Sequence, residues 1–254
     1  MTLSHINLSS TTFGTVVRLG NTSVVCGITA ELAEPTVENP GEGYIGTLSI
    51  YECLQVPNVV LSPLSNPKHR SGPPSDQAQS LSSQILNLIL ATSSNLPSSL
   101  CIERGKCVWI LYIDIQFLNY DGNALDSAWL AVTSSLSRTQ LPPVQYNSDL
   151  EKGVIIDGVP APIPFNGTGT FACSFIGIDE GKYLLIDPDE EEETLATETV
   201  SVVIDQERRI RYLYKGGIGL SKEDVRRCVE LAGDRAGYLS FIVEQSASKV
   251  QISD

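Results

Sequence analysis

The chain has 254 residues, 42% of them hydrophobic, with a mean hydropathy near zero; that is enough material for a large folded core and excludes disorder as the starting expectation. Its formal net charge of −13 opposes nucleic-acid binding by the isolated chain, because neutralising phosphates takes clustered Lys and Arg, so any such role rests on local basic patches or on neighbouring subunits. No run of about eighteen apolar residues exists, and Met1-Thr2-Leu3-Ser4-His5 lacks the charged flank and apolar stretch of a signal peptide, which places the expectation in the cytosol or nucleus, away from membranes.

In chain order, Val16, Val17, Leu19, Val24, Val25, Cys26 and Ile28 flank Gly20-Asn21 and predict a β-hairpin from Gly14 to Leu32, at the very start of the chain. Residues 34–47 carry Pro35, Pro40, Gly41, Gly43 and Gly46 and read as a loop; Leu48 to Val60 offers a further strand, and Pro63 to Pro74 a second loop holding Lys68, His69 and Arg70. Ser75 can cap a helix in which Ala78, Leu81, Ile85, Leu88 and Ile89 recur at helical spacing, stopped at Asn95-Leu96-Pro97.

The clearest strand is Cys107 to Leu118. Trp109, Leu111, Ile113, Ile115 and Phe117 form one apolar face, while the opposite face turns polar at Asp114 and Gln116. A turn at Asn119 to Asn123 leads into an amphipathic helix marked by Leu125, Trp129, Val132 and Leu136. Short strands follow at Val154 to Ile156, Thr170 to Ile178, Tyr183 to Ile186, Val200 to Ile204 and Ile210 to Tyr214. The chain closes on a helix capped by Ser221 to Asp224, with Val225, Cys228, Val229 and Ala232 on one face, and a last helix around Tyr238 to Gln245. The pattern is that of one fused mixed α/β domain.

Chemistry is sparse. Six cysteines form no C-x-x-C pair and read as reduced core residues, and His5 and His69 stand far apart, leaving no pattern for a metal site. Asp187 to Glu193 places six acids after a strand; carboxylates there could hold Mg²⁺ or act as acid and base, whereas the spacing favours a solvated turn. Asp121-Gly122-Asn123 opens a helix whose N-terminus would attract phosphate, but Leu125 and Asp126 follow instead of Arg or Lys. Gly216-Gly217-Ile218-Gly219 fits neither G-x-G-x-x-G nor a P-loop. The basic sets Lys68/Arg70, Arg104/Lys106 and Arg208/Arg209/Arg211 are small and sit in predicted loops or strand ends.

Four stretches taken in order carry a resemblance: Arg18 to Gly27 (RLGNTSVVCG), Arg70-Ser71-Gly72-Pro73-Pro74, Tyr120 to Asp126 (YDGNALD), and Leu185-Ile186-Asp187-Pro188 running into Glu191-Glu192-Glu193. Together they resemble the RNase PH-like ring subunits of the eukaryotic RNA exosome, over about Thr12 to Gln245. The resemblance implies an α+β RNase PH-like fold of the ribosomal protein S5 domain 2-like kind: a single domain over 1–254, built of two βαβα-like halves, about 12–140 and 150–248. It implies a hetero-hexameric ring around an RNA channel, with S1/KH cap subunits on one face and a separate processive exoribonuclease on the other, in the nucleus, nucleolus and cytoplasm, with no cofactor.

Active members of that family place Thr-Arg after the turn, the arginine gripping the attacking phosphate; here those positions are Ala124 and Leu125. Their two catalytic Asp residues correspond to Asp187 and to Glu193, one methylene longer. The resemblance therefore implies a silent site at Leu125, Asp187 and Glu193, with Lys68, Arg70, Arg104 and Lys106 as candidate RNA contacts. It also implies that an upstream helix and strand of the family are missing and that residues 46–55 are an insertion. Two other classes stand beside this reading: an active phosphate-dependent 3′–5′ exoribonuclease using Asp187 and Glu193, and an acidic metal-binding module.

Overall fold

A computed structural model describes residues 2–9, 12–46, 56–179, 181–217 and 220–250. The first half contains β1 (Thr2–Ser9), β2 (Thr12–Leu19), β3 (Thr22–Ala33), β4 (Tyr44–Ile45), β5 (Asn58–Val60), α1 (Asp76–Thr92), α2 (Leu96–Ser99), β6 (Cys101–Glu103), β7 (Cys107–Asn119) and α3 (Ala124–Leu136). Its strands form one sheet along the path β1-β2-β3-β7-β4, with β5 and β6 also on β7. Two small hairpin-like pairs come next, from β8 (Gln140–Leu141), β9 (Val144–Asn147), β10 (Lys152–Ile155) and β11 (Ala161–Pro162). The second half holds β12 (Phe171–Ile178), β13 (Tyr183–Ile186), α4 (Glu190–Leu195), β14 (Glu198–Ile204), β15 (Ile210–Gly216) and α5 (Lys222–Val250), its sheet ordered β13-β12-β14-β15.

Local chemistry sets most of these elements. Leu19 pairs directly with Thr22 across Gly20-Asn21, and Gly20 takes φ 58°, the left-handed backbone that a two-residue hairpin demands. Ser75 Oγ accepts from the Ala78 N–H at 3.3 Å and starts α1. β7 alternates buried and exposed positions from Leu111 onward, so Ile113, Ile115 and Phe117 are core while Asp114 and Gln116 face solvent. At its other end Val108 and Ile110 are buried too, in a small cluster with Tyr44.

The core centres on α3. Every residue from Leu125 to Leu136 is buried, because β2 and β3 cover one side of the helix and β12 the other. The expected amphipathic helix is therefore buried on all faces, its polar side chains included. Small residues make room for two sheets, and the hydroxyls bond inward: Thr133 Oγ1 donates to the Trp129 carbonyl at 3.0 Å and Ser135 Oγ to the Cys26 carbonyl at 3.3 Å. Trp129, fully buried, donates its Nε1–H to Thr170 Oγ1 at 3.2 Å and so ties the two halves together.

Several expectations are corrected. A strand, β1, precedes the hairpin and pairs antiparallel with β2. The two closing helices are one, α5, because Gly233 and Gly237 lie within its continuous hydrogen-bonded run. The short β4 falls inside the predicted loop of residues 34–47, and only Asn58–Val60 of the strand expected from Leu48 is found, residues 47–55 lying outside the described residues. β4 and β5 both run parallel to β7: Ile45 aligns with Leu111 and Asn58 with Asp114, so thirteen positions of chain advance only three along β7. Among the described cysteines, Cys26, Cys107, Cys173 and Cys228 are buried and Cys101 partly so, all free; Cys53 and Ile218-Gly219 lie outside the described residues.

A helix clasped on all sides tolerates no added bulk. Ser135→Leu adds a branched side chain at a position 1% exposed, and overpacking of this kind costs about 1–3 kcal/mol. The expected result in thermal unfolding is a fall of roughly 3–10 °C in Tm; an unchanged Tm would mean that this face of α3 is open.

Candidate functional site

The cleft lies where β7 ends and α3 begins. Thr22 Oγ1 donates to the Gly122 carbonyl at 2.8 Å and accepts from the Asp121 N–H at 3.0 Å, while Asn21 Nδ2 donates to Asp121 Oδ2 at 2.8 Å. These bonds fix the turn to the β2–β3 hairpin. Gly122 takes φ 79°, and a Cβ there would lie 2.5–2.7 Å from backbone atoms of Pro188, Asp189 and Glu190. The acidic segment is thus pressed backbone to backbone against the turn, a contact that glycine alone permits.

Asp187 to Glu193 is largely solvated, as its spacing suggests, but Glu190–Leu195 forms a short helix in place of a turn. Asp187 takes φ 59° and donates its N–H to the Ser174 carbonyl at 3.2 Å. Asp189 then caps α4 through a capping box, accepting from the Glu192 N–H at 2.8 Å while Glu192 Oε2 accepts from the Asp189 N–H at 3.0 Å. Four glutamates in the first turn complement the helix dipole.

Both family-matched carboxylates are engaged internally. Glu193 Oε1 accepts from the Asn123 N–H and Oε2 from the Tyr120 hydroxyl, each at 2.8 Å, and Gln77 Nε2 donates to that hydroxyl at 2.7 Å. Burial pushes the Glu193 carboxyl up from its ordinary value, with those two hydrogen bonds opposing it. Burial, then the adjacent Glu193, pushes the Tyr120 phenol up as well. Asp187 Oδ1 accepts from Asn123 Nδ2, and Oδ2 pairs with Arg235 at 3.0 Å. Behind it, Asp126 is 5% exposed and accepts from Asn123 Nδ2 at 3.0 Å, from the Ser174 N–H at 3.1 Å and from Ser174 Oγ at 2.8 Å, with Arg235 3.9 Å away. Burial raises Asp126 against the pull of Arg235.

Leu125 is 6% exposed and lines a cavity of about 320 Å³ with Gln77, Ser80, Gln84, Phe175 and Glu193. No Lys, Arg or His is among its described lining residues. An anion in this cavity would meet the Glu193 carboxylate and no cation among the described lining residues.

The basic candidates do not converge. Lys68 pairs with Glu190 at 2.9 Å, and Asn66 Nδ2 donates to the same carboxylate at 2.7 Å, so this loop is tied to α4. Arg70 is exposed beside it. Arg104 and Lys106 flank the turn into β7, at the opposite end of a thirteen-residue strand, a separation of about 40 Å. Arg104 lies over Gly41, and Lys106 pairs with Glu103 at 2.6 Å and covers the Tyr146 ring. Arg209 and Arg211 hold Asp205, and Arg208 holds Asp234.

The residues that sequence reasoning missed are Gln77, Ser174 and above all Arg235. The signal for Arg235 is its register: it shares the inward face of α5 with Cys228, Ala232, Ala236 and Leu239, and a cation on such a face needs a buried partner.

Comparison with known proteins fits this arrangement. The family model for domain 1 of the 3′ exoribonuclease family (RNase PH) matches residues 5–142, and that for domain 2 matches residues 169–235. Exosome complex component rrp43 of Schizosaccharomyces pombe is 36% identical over 228 residues, 89% of this chain and 80% of that protein. Exosome complex component Rrp42 of Methanothermobacter thermautotrophicus is 30% identical, over 91% and 80% of the two chains. Among solved structures, an Archaeoglobus fulgidus exosome with RNA bound to the active site superposes with a TM-score of 0.74 at 25% identity, covering 94% of this chain and 85% of that one. Rice Rrp46 shares the fold, with a TM-score of 0.62 at 16% identity over 94% and 91% of the chains.

The Glu193 site makes a signed prediction. Because its folded pKa lies above the ordinary value of 4.5, its contribution favours the fold below that value and is lost as pH rises through the folded pKa. The Tm of the wild type minus that of Glu193→Gln is expected to be more positive at about pH 4 than at about pH 7; a difference that grows toward neutrality would contradict the assignment.

Proposed function

Because the chain belongs to the 3′ exoribonuclease (RNase PH) family, with both of its domains present, we propose that it is a non-catalytic subunit of an RNA exosome core ring. In this reading it contributes to assembly and RNA channelling in 3′-to-5′ RNA processing and degradation, rRNA maturation and mRNA decay among them. Relatives named as exosome components support the ring. One observation carries the silence of the site: the cavity beside Leu125 has no described cation in its wall, while Asp187 and Glu193 spend their oxygens on Asn123, Tyr120 and Arg235. Phosphorolysis needs an anion held next to the reacting phosphodiester, and electrostatic stabilisation of that kind comes from pre-placed cations and donors.

The partners in this reading are other RNase PH-like subunits in a hetero-hexamer, S1/KH cap subunits, a separate processive exoribonuclease and the RNA in the channel, in the nucleus, nucleolus and cytoplasm. Arg70 and Arg104, exposed and without an ion pair among the described residues, are the side chains best able to meet RNA phosphates. Lys68 and Lys106 would have to leave Glu190 and Glu103. Residues 46–55 are read as an insertion; the interruption of register between β4 and β5 supports this.

The purified, folded chain is expected to release no nucleoside diphosphates from RNA in phosphate buffer, and to co-purify from cells with proteins of its own fold. Diphosphate release lost on Asp187→Asn would overturn the reading in favour of an active phosphorolytic enzyme. In a reconstituted ring, Arg70→Glu and Arg104→Glu are expected to weaken RNA retention in a salt-dependent way, each phosphate contact on a single strand carrying a slope of about 0.7 in log K against log salt. Unchanged retention would remove the residue concerned from the channel.

A further inference from the structure

The loop between Leu61 and Ser75 has a fixed base and an open tip. At the base Asn66 is 8% exposed; its Oδ1 accepts from the Lys68 N–H at 2.9 Å, and its Nδ2 donates to the Tyr120 carbonyl at 3.2 Å and to Glu190 at 2.7 Å. The His69 ring stands edge-on to Tyr120, with 5.2 Å between centroids. The tip lacks such ties. Arg70 to Pro74 is exposed and belongs to no helix or strand, and among the described residues no hydrogen bond holds Arg70, Ser71, Gly72 or Pro73.

Ser71 has a distinctive place in this tip. It is the only serine of the chain with a Lys or Arg among the three residues before it, and it has two, Lys68 and Arg70. In a chain of net charge −13 that is a local concentration of positive charge. Beneath the tip lies a cavity of about 520 Å³, lined by Lys68, Arg70, Ser71 and residues of β5, with no Asp or Glu among its described lining residues. Arg70 has no ion pair among the described residues. Lys68 is paired with Glu190, but its side chain is 65% exposed, and exposed pairs of this kind exchange partners at little cost.

We propose that Ser71 is a phosphorylation site for a protein kinase that reads basic residues ahead of its target, and that Arg70 and Lys68 then hold the phosphate over this cavity. Kinases discriminate substrates by flanking charge, and an exposed loop tip without backbone hydrogen bonds is open to another protein's cleft. In the transfer, Ser71 Oγ bonds to the γ-phosphorus of ATP, the bond from that phosphorus to the β–γ bridging oxygen breaks, ADP leaves, and the hydroxyl proton passes to the kinase's catalytic base. The product carries about −1.5 to −2 charges at pH 7 and three strong acceptors. That offsets the two cations, so the loop no longer offers them to RNA. This consequence rests on the ring reading above; the modification itself takes place on the unassembled chain and does not.

The test treats the full chain with ATP and, separately, cAMP-dependent protein kinase or protein kinase C. Peptide mass spectrometry is expected to find one phosphate at Ser71, absent from Ser71→Ala. In a ring reconstituted from the phosphorylated chain, the slope of log K for RNA against log salt is expected to fall by about 1.4, the share of two single-strand phosphate contacts. No phosphate at Ser71 with either kinase, on a chain that circular dichroism shows to be folded, overturns the inference and leaves the ring reading standing. Phosphate at Ser71 with RNA retention unchanged, where Arg70→Glu weakens retention, overturns it as well. If neither change affects retention, the placement of this loop in the channel fails and the inference falls with it.

Discussion

Asn123 stands at φ 48° and ψ 52° at the head of a wholly buried helix, and three segments of the chain are fastened to its two amide groups. Its backbone N–H holds Glu193 on α4, and its side chain holds Asp187 at the end of β13 and Asp126 on α3. Arg235 on α5 closes the group from behind. The left-handed backbone is uncommon for a residue with a Cβ, and Asn is among the few that adopt it at low cost. Gly122, one residue earlier, allows the acidic segment to approach this closely. The N-terminal turn of α3 thus becomes a junction for the second half of the fold.

That arrangement decides what the carboxylates can do. A buried acid is tolerated only with partners, and removing one partner of a buried charge is far more costly than the pair is beneficial. Asp126, buried, has Asn123, Ser174 and Arg235, and the partly buried Glu193 has Asn123 and Tyr120; Asp187, exposed on one side, pairs with Asn123 and Arg235. Here the acids serve as cross-links between the two halves, and the neighbouring cavity, lined by Leu125, has no cation among its described lining residues to hold the anion that phosphorolysis requires.

Much of the fold was legible in the sequence. The period-two run through Ile113, Ile115 and Phe117, the Gly20-Asn21 turn and the Ser75 cap are local signals, and the structure obeys each of them. What failed depended on neighbours distant in sequence. Ser127, Ser134 and Ser135 give α3 an apparently polar face, yet a second sheet buries it. The two closing helices of the sequence reading are one continuous helix, α5, packed along β12 and β14. In the site, Leu125, Asp187 and Glu193 were found by motif order, but their state was not, because Arg235 is 48 positions beyond Asp187 and enters through the fold alone. The acidic run looked hydrated by composition; its capping box and its contact with Gly122 depend on how β13 is aimed.

The junction at Asn123 has a direct solution signature in native-state hydrogen exchange. If its N–H is held by Glu193 inside the fold, the Asn123 amide is expected to exchange only through global unfolding, with protection like that of the β7 core amides around Ile113. Exchange at the rate of an exposed loop amide would show that α4 does not close on α3, and the account of the silent carboxylates would fall with it.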